Sequence, residues 1–288
     1  MLLCILQTVR NHPVYKQNYG QQNNIAVIQY SITAYALLYL FGTKGFYFAA
    51  EKRLTMNEFL LIGSIILTYG AVLIAYRLFG KIGMYVMTAI ATILANIEVT
   101  MLVDGFGMEQ TLGNVMFAST YLITDILSEN ESKESANRAV ALGIMTSTLM
   151  FIFTQYWQLY SPAGNDWASP HIEAIFSTTP RLLLGSFLGY AVSQRIDVWL
   201  YHRIWKATTD KSGDSNRFLW LRNNGSTMLS QIINTVLFTL IAFAGVYDNS
   251  TLISIMISSY VVYIFTSLAD TPAVYLARIM KQKNKIPE

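Results

Sequence analysis

Apolar runs close to or longer than the roughly 18 residues of a membrane-crossing helix recur along the chain, each bounded by a polar or Gly/Pro cluster. They fall at about 25–43, 59–78, 82–103, 111–128, 138–160, 179–203, 226–247 and 251–275. This pattern predicts an all-α, polytopic transmembrane helical bundle of about eight spans. The fourth run is short and contains Asn114 and Asp125, and losing it or the first would reduce the count to seven. Residues 1–24 are then an N-terminal cytoplasmic tail, 25–276 the transmembrane domain, and 277–288 a basic cytoplasmic tail.

Composition agrees with that pattern. Hydrophobic residues make up 53% of the 288-residue chain and charged residues 13%, about half the charge of an ordinary soluble domain. The opening MLLCILQTV has neither a basic region before it nor a small-residue cleavage site after it, so it reads as a membrane-surface tail and not a signal peptide. A single cysteine, Cys4, excludes an internal disulfide and a multi-cysteine zinc site.

The net charge of +3 is a topology signal. With eight spans, most of the 20 basic residues collect on one side, including Arg77, Lys81, Lys133, Arg203, Arg222 and Lys281. Lys44, Lys52 and Arg53 lie on the other. Basic residues are retained on the cytoplasmic side, so both termini are expected there, in a multi-pass protein of the bacterial inner membrane. The same reasoning removes nucleic acid as a direct partner; the lipid bilayer is the partner the basic clusters report.

Polar residues inside apolar helices are costly and mark function or helix contacts. In the stretch LRNNGSTMLSQIINTVLFTLIAF, the helical period gathers Thr227, Ser230, Gln231 and Asn234 into one stripe. In the preceding span it gathers Ser186, Tyr190, Ser193, Gln194 and Asp197, with Gly185 and Gly189 read as a small-residue packing surface on the opposite side. The two stripes resemble each other, YAVSQRIDVWLY against TMLSQIINTVLF, at a constant offset of 37 with Ser-Gln-x-Ile-Asp/Asn shared. Matched motifs at matched depth suit a transporter's central site. Asp125 and Asp270 are assigned to the same cytoplasmic-half layer, and Asn96, Glu98, Asn114 and Arg181 to an outer layer. Arg195 points away from Asp197 and is expected to pair with a carboxylate of another helix.

At that stretch, with PRLLLGSFLGYAVSQRIDVWLYHRI and STYLITDILSENESKESANRAV, the chain resembles the queuosine precursor transporter family of the vitamin-uptake transporters. The resemblance covers about residues 60–280. It implies import of a 7-deazaguanine base (7-cyano-7-deazaguanine, 7-aminomethyl-7-deazaguanine or queuine) salvaged for a modified tRNA nucleoside. It implies site residues at Asn114, Asp125, Glu129, Arg181, Ser186, Ser193, Gln194, Asp197, Arg222, Ser226, Thr227, Ser230, Gln231 and Phe238. Of these, Asn114, Glu129 and Arg222, with Asn96 and Asp270, are candidates for gating or coupling. Two departures stand out: Asn234 replaces a usual second aspartate, and Glu131-Ser132 replaces a usual Tyr-Gly.

A deazaguanine edge carries ring N–H and amino donors beside a carbonyl acceptor. Asp197 is expected to accept from the donors, Gln194 and Gln231 to serve the carbonyl and remaining ring nitrogen, and Tyr190, Tyr201 or Phe238 to stack on the ring. No cofactor and no metal site is expected. The rival readings are the substrate-binding component of an energy-coupling-factor uptake system and, more remotely, an intramembrane enzyme. His12, His171 and His202 are scattered and no HExxH or GxSxG occurs, which argues against the enzyme. A homo-oligomer, the energy source and the gating motion stay open at this point.

Overall fold

The computed structural model describes residues 56–176, 180–214 and 217–287. The tail 1–24 and the first candidate span, 25–43, lie outside the described residues. The elements are α1 (Met56–Glu98), β1 (Leu102–Gly105), β2 (Met108–Thr111), α2 (Gly113–Asn130), α3 (Lys133–Trp157), α4 (Ser169–Phe176), α5 (Pro180–Ser212), α6 (Leu219–Phe243) and α7 (Asn249–Gln282). Helices α1, α3, α6 and α7 are long and apolar enough to cross a membrane. Large apolar side chains such as Leu67, Leu78, Ile152, Ile257 and Phe265 are exposed, while Thr88, Asn114, Asp125, Gln194 and Asp270 are buried. That inside-out distribution suits a helical membrane protein, whose lipid-facing surface is apolar and whose polar groups face the bundle interior.

Helix α1 has 43 residues, roughly 65 Å of continuous helix, about twice the thickness of a hydrocarbon core. It fits because it turns back at Gly80, whose φ of 56° and ψ of −140° suit a residue without Cβ. Both ends of α1 therefore reach the β-hairpin. At its start, Asn57 donates to the Asp104 carbonyl (3.0 Å) and Glu58 accepts from the Phe106 amide (2.8 Å), while its end runs directly into β1. The two arms correspond to the second and third candidate spans. The third was expected to continue to residue 103, but its last residues form the strand pair Leu102↔Thr111 to Gly105↔Met108. Phe106 (φ 54°) and Gly107 (φ 77°) supply the two positive-φ positions of a tight hairpin turn.

The fourth candidate span, the least apolar, is the centre of the bundle. Val115, Ala118 and every residue from Ser119 to Ser128 of α2 are buried. A helix enclosed by other helices needs no lipid-facing stripe, which is why its composition tolerates Asn114, Ser119, Thr120, Thr124 and Asp125. Around the half of α2 remote from the hairpin, Leu122, Ile126 and Leu127 pack with Val72 and Tyr76 of α1, Val140 of α3 and Val274 of α7 in one apolar core.

Helix α5 runs to Ser212 and α7 to Gln282, both beyond the expected spans and α7 into the segment read as a tail. The bundle thus has a hairpin end, holding β1–β2 and the α6–α7 connection, and a charged end. At the charged end Glu131 accepts from Tyr76 and from Lys281 of α7, both at 2.8 Å. Ser132 caps α3 by accepting from the Ser135 amide at 3.1 Å. Glu131-Ser132 therefore ties three helices together and starts a fourth.

Candidate functional site

A cavity of ≈ 640 Å³ occupies the hairpin half of the bundle, within the usual size range of small-molecule sites. Of the sequence-selected residues, Asn96, Asn114, Ser186, Tyr190, Asn234 and Phe238 line it. Phe117 and Tyr263, which sequence reasoning missed, complete an aromatic wall: the Phe117 ring lies 6.0 Å from Tyr190, 6.1 Å from Tyr263 and 5.7 Å from Tyr121. Thr235 and Thr239, also missed, line the same cavity from α6. One turn apart on that helix, they extend the stripe of Gln231 and Asn234 toward the hairpin, a signal that periodicity held.

Four buried polar atoms on this wall have no hydrogen-bond partner among the described residues: Asn114 Nδ2, Tyr190 Oη, Thr235 Oγ1 and Thr239 Oγ1. Asn114 is otherwise fixed, its Oδ1 accepting from Tyr263 and from Thr111, both at 3.2 Å. Buried polar groups are ordinarily paired, so such a set invites a polar ligand. Tyr190 owes its place to Gly143, where a Cβ would come within 2.0 Å of the tyrosine Oη.

The remaining stripe residues do not reach the cavity. They form a packed layer beneath it, between α2, α5 and α6. Gln194 donates to Thr120 (2.7 Å) and accepts from Thr124 (3.2 Å), and Ser193 meets Tyr121 Oη at 2.6 Å. Ser230 donates to Asp197 (3.1 Å), and Thr227 to Asp125 (3.3 Å). Asn234 donates to Gln231 at 3.2 Å. Thr120 and Asn234 thus touch both compartments, facing the cavity and holding the two glutamines behind it. The layer is the cavity's floor.

Several expectations are corrected by these contacts. Asp197, Gln194 and Gln231 are not exposed to the cavity, because helical periodicity fixes the angle of a side chain about its axis and not which depth is hollow. Tyr201 does not stack in the cavity; its hydroxyl donates to Glu129 at 2.7 Å, toward the charged end. Gly185 and Gly189 do not face away from the polar stripe. A Cβ at Gly185 would meet Phe238 at 3.4 Å and one at Gly189 would meet Asn234 at 2.7 Å, on the same partner helix that Ser230 uses to reach Asp197. The glycines allow the close α5–α6 approach that brings the two motifs to one level. Arg195 is exposed, and among the described residues no ion pair reaches it. Arg181 is also exposed and outside the cavity lining; it donates to the carbonyls of Ile241 and Ala244, satisfying the C-terminal end of α6 where a cation is favoured.

Below the floor lie Glu129, Arg222 and Asp270, three of the five candidates for gating or coupling; the other two, Asn96 and Asn114, line the cavity. Arg222, wholly buried, donates to both carboxylate oxygens of Glu129 and sits 4.3 Å over the Trp205 ring. Arg278 approaches the same carboxylate at 3.5 Å. Asp270 accepts from Asn223 at 2.7 Å. Ser226, buried, donates to the Asn223 carbonyl at 3.2 Å.

A central helix of polar residues, a ligand-sized cavity and a sealed floor describe a membrane carrier, and comparison with known proteins decides the family. Residues 111–277 match the family described as "Putative vitamin uptake transporter". The chain belongs to this family. It is 39% identical to the "Probable queuosine precursor transporter" of Bacillus subtilis (strain 168) over 209 residues, 73% of this chain and 89% of that protein. The resemblance drawn from the Ser-Gln motifs is thereby borne out over most of the chain. No solved structure matches it. As a member of a transporter family it is a multi-pass membrane protein with a transport role.

Proposed function

We propose that the protein imports a 7-deazaguanine precursor of queuosine through the cavity between α2, α5, α6 and α7. The observation that carries this reading is the pairing of an aromatic wall with unpaired buried polar atoms, among them those of Asn114, Thr235 and Thr239. A planar base can lie against Phe117, Tyr190 and Phe238. Asn114 Nδ2 is placed to donate to its carbonyl, and the Thr235 and Thr239 hydroxyls can accept from its N–H and amino groups. Ser186, Asn96 and Asn234 extend the polar rim. Asp125, Ser193, Gln194, Asp197, Thr227, Ser230 and Gln231 are assigned to the floor, which must open for the base to leave toward the charged end.

Orientation follows from charge. Arg77, Lys81, Lys133, Arg203, Lys206 and Lys281 belong to the charged end, which is read as cytoplasmic. The C-terminus is then cytoplasmic, the cavity opens outward, and the two arms of α1 with α2, α3, α5, α6 and α7 make seven crossings in the described residues. With Asn234 in place of an aspartate, the cavity wall offers no negative charge to an aminomethyl cation, which favours the neutral 7-cyano base.

The test is uptake of labelled 7-cyano-7-deazaguanine, 7-aminomethyl-7-deazaguanine and queuine by cells lacking their own synthesis. Expression of the protein should restore uptake, most strongly for the 7-cyano base, and Asn114→Leu should reduce it at unchanged expression. No uptake of any of the three would overturn the reading.

A further inference from the structure

Asp125 and Asp197 are fully buried (0% exposed), and Asp125 Oδ1 and Asp197 Oδ2 have no hydrogen-bond partner among the described residues. What bonds they have come from hydroxyls, Thr227 to Asp125 and Ser230 to Asp197. The hydroxyls of Ser226 and Thr227 also face Asp197, so Thr227 stands between the two carboxyls. The other titratable groups within electrostatic reach are Asp270 of α7, Glu129 and Tyr121 of α2, Tyr69 of α1 and Tyr201 of α5. None of these is a cation. Arg222 and Arg278 of the neighbouring layer are both turned onto Glu129.

Two ionised carboxylates are not both stable when buried together with only hydroxyls against them and no countercharge among the described residues. Each buried ion costs several kcal/mol even after relaxation, and like charges sharing a site hold a proton between them. We propose that the Asp125–Asp197 pair is a proton-binding site that couples import of the base to entry of a proton, an inference resting on the transport reading above. When the floor loosens toward the outward cavity, a hydronium ion there gives up a proton to a free carboxyl oxygen: one O–H bond of the hydronium breaks to leave water, one forms on the carboxyl, and the pair carries one charge fewer. The floor then closes over the protonated pair. When the floor opens toward the charged end, the same oxygens meet water there and release the proton in the direction the base travels.

A sodium ion fits less well. Sodium sites in transporters draw on unwound backbone carbonyls, whereas α2, α5 and α6 run as unbroken helix past these residues.

The test uses the full-length protein in sealed liposomes with labelled 7-cyano-7-deazaguanine. Exchange of label without any gradient reports carrier activity alone. An inward proton gradient of about one pH unit should concentrate the base up to about tenfold at one proton per base, and a sodium gradient should not. Asp125→Asn and Asp197→Asn, neutral mimics of the protonated acid, should lose the gradient-driven accumulation. Exchange that is intact but indifferent to the proton gradient, or accumulation driven by sodium, would overturn the inference and leave the transport reading standing. If the wild type shows no exchange, that substrate reading fails by itself, and infrared spectroscopy of the purified protein decides the coupling site. A protonated-carboxyl band at neutral pH that Asp125→Asn or Asp197→Asn diminishes supports it; absence of the band from the wild type overturns it.

Discussion

Arg222 Nη2 lies 2.8 Å from Glu129 Oε1, with the two side chains 0% and 3% exposed. The guanidinium also donates to the other carboxylate oxygen and to the Arg217 carbonyl. The pair joins the end of α2 to the start of α6 on the side of the floor away from the cavity. A fork-shaped cation matched to a carboxylate in this way is highly directional, and a lysine could not reproduce it.

Removing one partner should therefore be costly. Arg222→Met or Glu129→Gln strands a buried charge or donor and should destabilise the protein by about 3–5 kcal/mol. The double replacement should recover part of that loss. Thermal unfolding in detergent, compared across the four proteins, measures both effects.

Gly143→Ala should act on transport through Tyr190. The added Cβ would stand 2.0 Å from the tyrosine Oη and 2.5 Å from its Cζ, so the ring must leave its place or α3 must shift, at a cost of about 1–3 kcal/mol. Binding of the labelled base should weaken. Combining Gly143→Ala with Tyr190→Leu should restore the unfolding temperature without restoring binding.

Asn234→Asp places a carboxylate on the cavity wall. The variant should shift preference toward the cationic 7-aminomethyl base and away from the 7-cyano base. Competition between the two for uptake, in wild type and variant, reads the change directly.

At the hairpin end Asp248 caps α7, accepting from the Ser250 and Thr251 amides and hydroxyls. The Ser250 hydroxyl first, then that of Thr251, holds its carboxyl down to about 2. A depressed value means the cap contributes fully above the ordinary carboxylate range near pH ~4 and is lost as the pH falls through the folded value. Hydrogen exchange in the first turn of α7 should be faster in Asp248→Ala than in wild type at neutral pH, and the two should converge near pH ~2.

Much of this architecture was legible in the sequence, for reasons that also explain the gaps. Apolar runs located the two arms of α1, α3, α5, α6 and α7 because lipid imposes one requirement on every exposed residue. They placed α2 correctly too, although its Asn114 and Asp125 counted against it, since enclosure and not hydropathy sets its composition. The hairpin was hidden because Leu102 and Val103 continue an apolar run, while only the Gly105-Phe106-Gly107 turn marks the break. The polar stripes were legible as stripes, and their α5–α6 contact follows from Gly185 and Gly189. What periodicity could not supply was depth: which turn of each helix borders space and which is packed. Asn96 and Asn114 were assigned to gating yet line the cavity, and Asp197 and Gln231 were assigned to the base yet lie beneath it. Phe117 and Tyr263 were missed because an aromatic in an apolar helix looks the same whether it faces a core or a cavity.

A deazaguanine in the cavity above the floor would pair with Asn114, Thr235 and Thr239. The most direct measurement is an experimental structure of the protein with 7-cyano-7-deazaguanine bound. It should show the base against Phe117 and Tyr190 with Asn114 Nδ2 at hydrogen-bond distance from its carbonyl. A base bound elsewhere, with these three polar atoms still unpaired, would contradict the account.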